Sequence, residues 1–392
     1  MKSSVGQIIC TAILVTVSCA SQAGTVENES DAMAKAVAAN KAKDYAASMA
    51  IYRKLADEGS AAAPAMIGLL YFAGAGVPRD NTKACDFFAT SAKKADPNGT
   101  ELLADCFFKG EGRPKDYAAS MAIYRKLADE GSAAAPAMIG LLYFAGAGVP
   151  RDSARACDFF AIAEKKADPN GTELLADCFF KGEGRPKDYA QSARLYEEAS
   201  MRGVAIADCA LGNQYLGGLG VQKDQTKAAA LCRKSADRGV ANAQTDLGEM
   251  YLTGQGVEKN LPEAAGWFQK AAEQGNANAA FLLGTMYWNG DGVERDHEQA
   301  GKRWYLSATR GNTLAPARLA KYYFAASVTA DKQIVIEPAS KAAYWGTLAT
   351  HVDPNPAAQT ESQKLVDLLF NAAPSLKPNV ETMLAASTPP SY

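Results

Sequence analysis

A pair of glycines one residue apart returns every 36 residues, seven times, without insertion or deletion: Gly74/Gly76, Gly110/Gly112, Gly146/Gly148, Gly182/Gly184, Gly218/Gly220, Gly254/Gly256 and Gly290/Gly292. Few folds tolerate so strict a period. A unit of this length is one supersecondary hairpin, too small to bury its own apolar face, so it must stack on its neighbours. The 392 residues would otherwise be enough for two or three ordinary domains. The repeat instead predicts one array, each unit touching only the next, with a different segment at either end.

Read in steps of 36, the unit sorts into columns. One holds Ile67, Leu103, Ile139, Leu175, Leu211, Leu247, Leu283 and Leu319. The next holds Gly68, Ala104, Gly140, Ala176, Gly212, Gly248, Gly284 and Ala320. Three residues on stand Tyr71, Phe107, Tyr143, Phe179, Tyr215, Tyr251, Tyr287 and Tyr323. This spacing puts an aliphatic, a small residue and a ring on one side of a helix. The glycine pair then ends that helix, where glycine alone takes a positive φ cheaply.

Asp80, Asp116, Asp152, Asp188, Asp224, Asn260 and Asp296 follow as expected N-caps of a second helix. Its ring column is Phe88, Tyr124, Phe160, Tyr196, Phe268 and Trp304, with Cys232 in the remaining place. Gly59, Gly131, Gly203, Gly239, Gly275 and Gly311 close it. At Ala95 and Ala167 that glycine is missing, and Asp-Pro-Asn-Gly is expected to make the turn instead.

Each unit thus reads helix, glycine turn, helix, short turn. The run Leu247-Gly248, Tyr251, Gly254-Gln255-Gly256-Val257, Ala264 and Phe268 to Gly275 resembles a Sel-one-like repeat, a cousin of the tetratricopeptide repeat. The resemblance covers residues 44–325, and it weakens where Arg113 and Arg185 replace the usual valine. It implies an all-α chain, an α/α solenoid wound as a right-handed superhelix of about seven 36-residue repeats with helical end caps, and a scaffold or adaptor role. The expected division is 1–23 signal peptide, 24–59 N-terminal capping helices, 60–325 repeats, and 326–392 a C-terminal helical cap with a disordered tail. A longer repetition overlies the first: 43–80 recurs unchanged as 115–152, and 96–118 as 168–190, an offset of 72.

The first residues read as an export signal. Lys2 precedes an apolar run from Ile8 to Val17 that is too short to span a bilayer, and Ser21-Gln22-Ala23 offers small residues for cleavage after Ala23. The alternative is a lipoprotein joined at Cys19. A periplasmic or secreted protein is therefore expected, with no transmembrane segment. A net charge of −2 argues against a nucleic-acid partner, since phosphate binding needs a basic surface.

Removal of the signal leaves Cys85, Cys106, Cys157, Cys178, Cys209 and Cys232. An even count in an exported chain points to disulfides. In an antiparallel hairpin, residues placed symmetrically about the turn face each other. Three pairs obey that rule: Cys85–Cys106, Cys157–Cys178 and Cys209–Cys232. Buried free thiols are the alternative. Zinc lacks a ligand set, with no Cys-x-x-Cys and only His297 and His351 far apart in the chain.

No catalytic residue, cofactor or metal is expected. The recurring Gly-x-Gly is not followed by Gly-Lys-Ser/Thr, so it is a helix end rather than a phosphate cradle. One enzyme reading stands as the alternative function. Some cysteine-rich members of the family are associated with β-lactam hydrolysis, and Ser91-Ala92-Lys93-Lys94 has the Ser-x-x-Lys spacing of a serine acyl-enzyme. Nothing supplies the further polar motifs, and the duplicate copy replaces Ser91 with Ala163.

A monomer gripping a protein or peptide is the main expectation. In two-helix solenoids the first helices line the inner wall. The column opposite the core reads Leu69, Asp105, Leu141, Asp177, Asn213, Glu249, Thr285 and Lys321. It varies where the core columns do not, which marks it as the partner-binding face. Leu69 and Leu141 are apolar where solvent is expected, and the flanking Phe72, Phe108, Phe144 and Phe180 read as core.

Overall fold

The computed structural model describes residues 26–329, 333–387 and 389–390, and in them 20 helices and no strand apart from one antiparallel bridge between Val328 and Ile334. The predicted signal peptide and the last tail residues lie outside the described residues. Two compact units divide the chain, Lys2–Ala207 and Asp208–Tyr392.

The N-terminal unit opens with α1 (Val26–Lys41) and α2 (Tyr45–Asp57). Hairpins follow: α3 (Ala63–Ala73) with α4 (Asn81–Lys93), α5 (Pro97–Lys109) with α6 (Tyr117–Asp129), and α7 (Ala135–Ala145) with α8 (Ser153–Lys165). Last come α9 (Pro169–Lys181) and α10 (Tyr189–Met201). The next first helix, α11 (Ala205–Gly217), begins at the division. The C-terminal unit continues with α12 (Gln225–Asp237), α13 (Ala241–Thr253), α14 (Leu261–Glu273), α15 (Ala277–Asn289), α16 (His297–Thr309) and α17 (Ala315–Ser327). The end helices are α18 (Ile336–Val352), α19 (Pro356–Ala372) and α20 (Leu376–Ala385).

The two glycines of a pair do different work. Gly110 ends α5 in the left-handed region at φ +70°, its amide donating to the Cys106 carbonyl at 2.9 Å. Gly112 also has a positive φ, and a Cβ there would lie 2.1 Å from the Asn81 carbonyl oxygen. The turn of one repeat is therefore seated on the first residue of the preceding repeat's second helix. The same contact recurs from Gly184 to Ser153 at 2.1 Å and from Gly256 to Gln225 at 1.9 Å. An inserted residue would lift the turn off that seat, which explains the unbroken period.

After the turn, the Asp116 amide donates to the Phe107 carbonyl at 3.0 Å, while its carboxylate accepts from the Ala119 amide at 2.9 Å. Each predicted cap from Asp80 to Asp296 accepts in this way from the amide three residues on.

The helices of a hairpin close where ring meets small residue. A Cβ on Gly140 would come within 2.5 Å of Phe160 Cε1, and one on Gly284 within 2.8 Å of Trp304 Cδ1. Such a contact brings helix backbones nearer than side-chain packing alone allows. At the C-terminal end, α18 to α20 cover the last repeat through Trp304, Leu319, Tyr323, Trp345, Leu369 and Val380. Pro356 fits the first turn of its helix, where the missing N–H is not needed.

One expectation needs correcting. Asp-Pro-Asn-Gly does not form the turn after α4 and α8. Ala95 and Ala167 turn the chain themselves, at φ +61° and +63°. Gly99 and Gly171 already lie inside the next helices, capped by Asp96 and Asp168, and a Cβ on Gly171 would stand 2.3 Å from Ala163 Cβ. Left-handed alanine is strained by roughly 1–2 kcal/mol. Ala167→Gly is therefore expected to raise the urea midpoint slightly, by about 0.5–1 kcal/mol of stability after the entropy of the unfolded glycine is counted. Gly184→Ala, which strains φ and strikes the Ser153 carbonyl, should lower it by more than about 1 kcal/mol.

Candidate binding face on the first helices

The variable column is not bare to solvent. Leu69 and Leu141 are half-buried, and Leu69 leans on the cluster of Ala65, Cys85, Phe88 and Cys106. Asp105 accepts hydrogen bonds from the Tyr124 hydroxyl and Lys109. Asp177 does the same with Tyr196 and Lys181. In the C-terminal unit, Asn213 donates to Asp246 at 2.9 Å, and Thr285 accepts from Trp304 Nε1 at 3.4 Å. Lys321 pairs with Glu361 at 2.9 Å, and Glu249 is exposed. The bonds of these eight side chains run to neighbours, not to one another.

The column therefore varies in step with another one. Where the second helix carries Phe88 or Phe160, the partner nineteen residues earlier is Leu69 or Leu141. Where it carries Tyr124 or Tyr196, the partner is Asp105 or Asp177. The phenol needs an acceptor when buried, and the carboxylate supplies it. Burial together with the adjacent carboxylate pushes both tyrosines far above the usual phenol range.

The residues of this face missed by column reading are Glu101 and Glu173, one helical turn before those aspartates. Both are half-buried, and neither forms an ion pair or hydrogen bond with the described residues. Burial, then the nearby charge of Asp177, pushes Glu173 up to about 7, with Lys181 opposing. Burial, then Asp105 and Asp168, raises Glu101 likewise. The available signal was an acidic residue at 101 and 173 where the alternate repeats have Ala65 and Ala137.

The six cysteines form three disulfides, Cys85–Cys106, Cys157–Cys178 and Cys209–Cys232, with Cα separations of 6.2, 6.2 and 4.1 Å. The first two staple the second helix of one repeat to the first helix of the next. The third joins the two helices of one repeat. Closing loops of this size contributes roughly 3 kcal/mol each in the chain-entropy account. Disulfides of this kind belong to an oxidising compartment outside the cytoplasm.

Ser91 has no nucleophile's setting. It is fully buried, with its hydroxyl 2.6 Å from the Ala61 carbonyl and 2.8 Å from Asp96 Oδ2. Lys94 turns away to the carbonyls of Ala56 and Ser60, at 3.4 and 3.2 Å. Lysine here ties the hairpin to the preceding helix, and serine ties the second helix to the entry of the first.

The geometry defines a two-helix repeat solenoid with a patterned first-helix face. The Sel1 repeat model matches residues 61–96, 99–132, 133–168, 171–204, 205–240, 241–276 and 277–312, more than half of the chain. The chain belongs to the Sel1 repeat family, whose members are protein-interaction scaffolds. Among solved structures, it is similar to c5321, a protective antigen of uropathogenic Escherichia coli strains with an SLR fold. The two are 27% identical over 87% of this chain and 75% of that one, with a TM-score of 0.54. A Sel1 repeat protein from Oxalobacter formigenes is 26% identical over 79% of this chain and 99% of that one, with a TM-score of 0.53. No curated protein matches the sequence. No helix among the described residues is long and apolar enough to cross a membrane.

An acid whose burial outweighs its counter-charge makes stability depend on pH. Glu173 ordinarily ionises near 4.5 but holds its proton to about 7 when folded. Its stabilising share is fully present below 4.5 and is lost as pH rises toward 7. Glu173→Gln should therefore match the parent near pH 4 and exceed it at pH 8 by on the order of 1–3 kcal/mol in denaturant titrations.

Proposed function

We propose that this chain is a non-enzymatic, exported scaffold that holds a polypeptide segment of another envelope or secreted protein against its first helices. The carrying observation is the contrast between columns of the first helices: the aliphatic, small and ring columns keep their kind from repeat to repeat, while Leu69, Asp105, Leu141, Asp177, Asn213, Glu249, Thr285 and Lys321 do not. Constant columns serve the stack, and a changing column that opens on the surface can address a sequence of different side chains in turn. Export rests on the apolar leader before Ala23 and on the three disulfides. The monomeric state and the domain division at 23, 59 and 325 belong to the same reading. The family's scaffold role supports it. The β-lactam alternative draws no support from Ser91, whose hydroxyl is enclosed.

Photo-crosslinking residues placed in intact cells at positions 69, 141 and 285 should give adducts to one defined protein. The same residue at Glu130 or Lys165, on exposed parts of second helices, should not. Adducts confined to the second helices, or none at any position, would refute the reading. The processed protein should begin at Gly24 in N-terminal mass analysis.

A further inference from the structure

We propose that the first-helix face of the N-terminal unit is a docking track for a cationic peptide segment, in which two lysine or arginine side chains seat against Glu101 and Glu173 and apolar residues lie beside them. This rests on the scaffold reading and names the chemistry of its partner.

Along α3, α5, α7 and α9 the face alternates. Leu69 is followed by Asp105, then Leu141, then Asp177, and Glu101 and Glu173 stand one turn before the aspartates where the other two repeats have Ala65 and Ala137; the adjoining column, Met66, Leu102, Met138 and Leu174, is apolar throughout. Beside Leu69 the face is concave: Met66 and Leu69, with Asn40, Tyr45, Leu70, Ala73 and Ala75, line a recess of about 110 Å³. The glutamates of the acidic stations make no ion pair of their own. A partly buried carboxylate whose charge is not fully offset is relieved by a matching charge. Lysines are at hand on the same helices, but Lys109 and Lys181 are engaged by Asp105 and Asp177. The tyrosines of the second helices fix those aspartates further. What stays open toward the face is the glutamate, with a pinned aspartate one turn away. An arriving ammonium or guanidinium meets a carboxylate carried on a packed helix, which lowers the ordering cost of binding.

The spacing limits the ligand. Neighbouring helices pack about 8–10 Å apart, so first helices two repeats apart present their glutamates within about 20 Å. Six residues of extended chain span that at most, at about 3.3 Å each. Asp168, at the head of α9, acts electrostatically on Glu101 of α5. The groups facing Glu173 are Asp177 and Lys181 on its own helix and Tyr196 of α10. Those facing Glu101 are Asp105 and Lys109 on its own helix, Tyr124 of α6 and Asp168. Only the two lysines are cationic, and both are held by aspartate.

The test is fluorescence anisotropy of the full chain, disulfides intact, with a fluorescein-labelled peptide carrying two lysines about four positions apart in an alanine–leucine background. Binding is expected, and Glu101→Gln with Glu173→Gln should weaken it about tenfold or more at unchanged helicity. Because burial pushes Glu173 up to about 7, binding should also be about tenfold weaker at pH 6 than at pH 8. Equal affinity for the double variant, or for a peptide with glutamines in place of lysines, would overturn the proposal. So would calcium binding at the same glutamates without any peptide binding. Repeating the cellular crosslinking with the double variant separates the two readings. If adducts at position 141 persist undiminished, the scaffold stands and the cationic track fails; if the parent gives none, the scaffold itself fails.

Discussion

A ring lying where a side chain has been left out is the contact on which this chain depends. Phe160 occupies the space a Cβ of Gly140 would need, Phe268 that of Gly248, and Trp304 that of Gly284. The contact draws two helices into a hairpin closer than ordinary ridge-and-groove packing. Within each unit, hairpins are then seated on the one before through the second turn glycine, as Gly112 sits on Asn81 and Gly256 on Gln225. Neither contact tolerates an added residue, so the period of 36 is a steric consequence rather than a statistical habit. Disulfides from α4 to α5 and from α8 to α9 reinforce the same junctions covalently.

Much of this was legible in order along the chain. The glycine pairs marked helix ends, the Asp column marked helix starts, and the symmetry of Cys85 and Cys106 about their turn matched the disulfide that joins them. What escaped was pairwise. A column read alone shows that Asp105 alternates with Leu141; only beside the column nineteen residues on does the acid prove to be the acceptor of a buried phenol. Turn chemistry escaped as well, because Asp-Pro-Asn-Gly reads as a turn, whereas Pro169 and Gly171 serve a helix already begun. The left-handed Ala167 is invisible to composition, since alanine favours helices and the stack imposes the strain. The glutamates escaped because burial depends on the neighbouring repeats, which no single unit reveals.

The face and the core thus share one set of helices but answer to different constraints. The core side of α5 is fixed by Ala104 and Cys106, while its other side holds Glu101 at a price in solvation that the fold alone does not recover. Duplication of a 72-residue block repeated that arrangement without disturbing the stack, because each repeat answers only to its neighbours. A surface that can be extended by whole blocks, with charge in alternate repeats, suits recognition of an extended chain better than recognition of a compact ligand.

The most direct measurement of the central contact is a double-mutant cycle at Gly248 and Phe268, read by urea denaturation. If ring and missing side chain occupy one space, Gly248→Ala should destabilise the parent by about 1–3 kcal/mol. It should cost little once Phe268→Leu has emptied that space, leaving a coupling of about 1 kcal/mol or more. Strictly additive effects would contradict the account, since the two residues would then be acting through separate packing and the ring would not be what closes the hairpin.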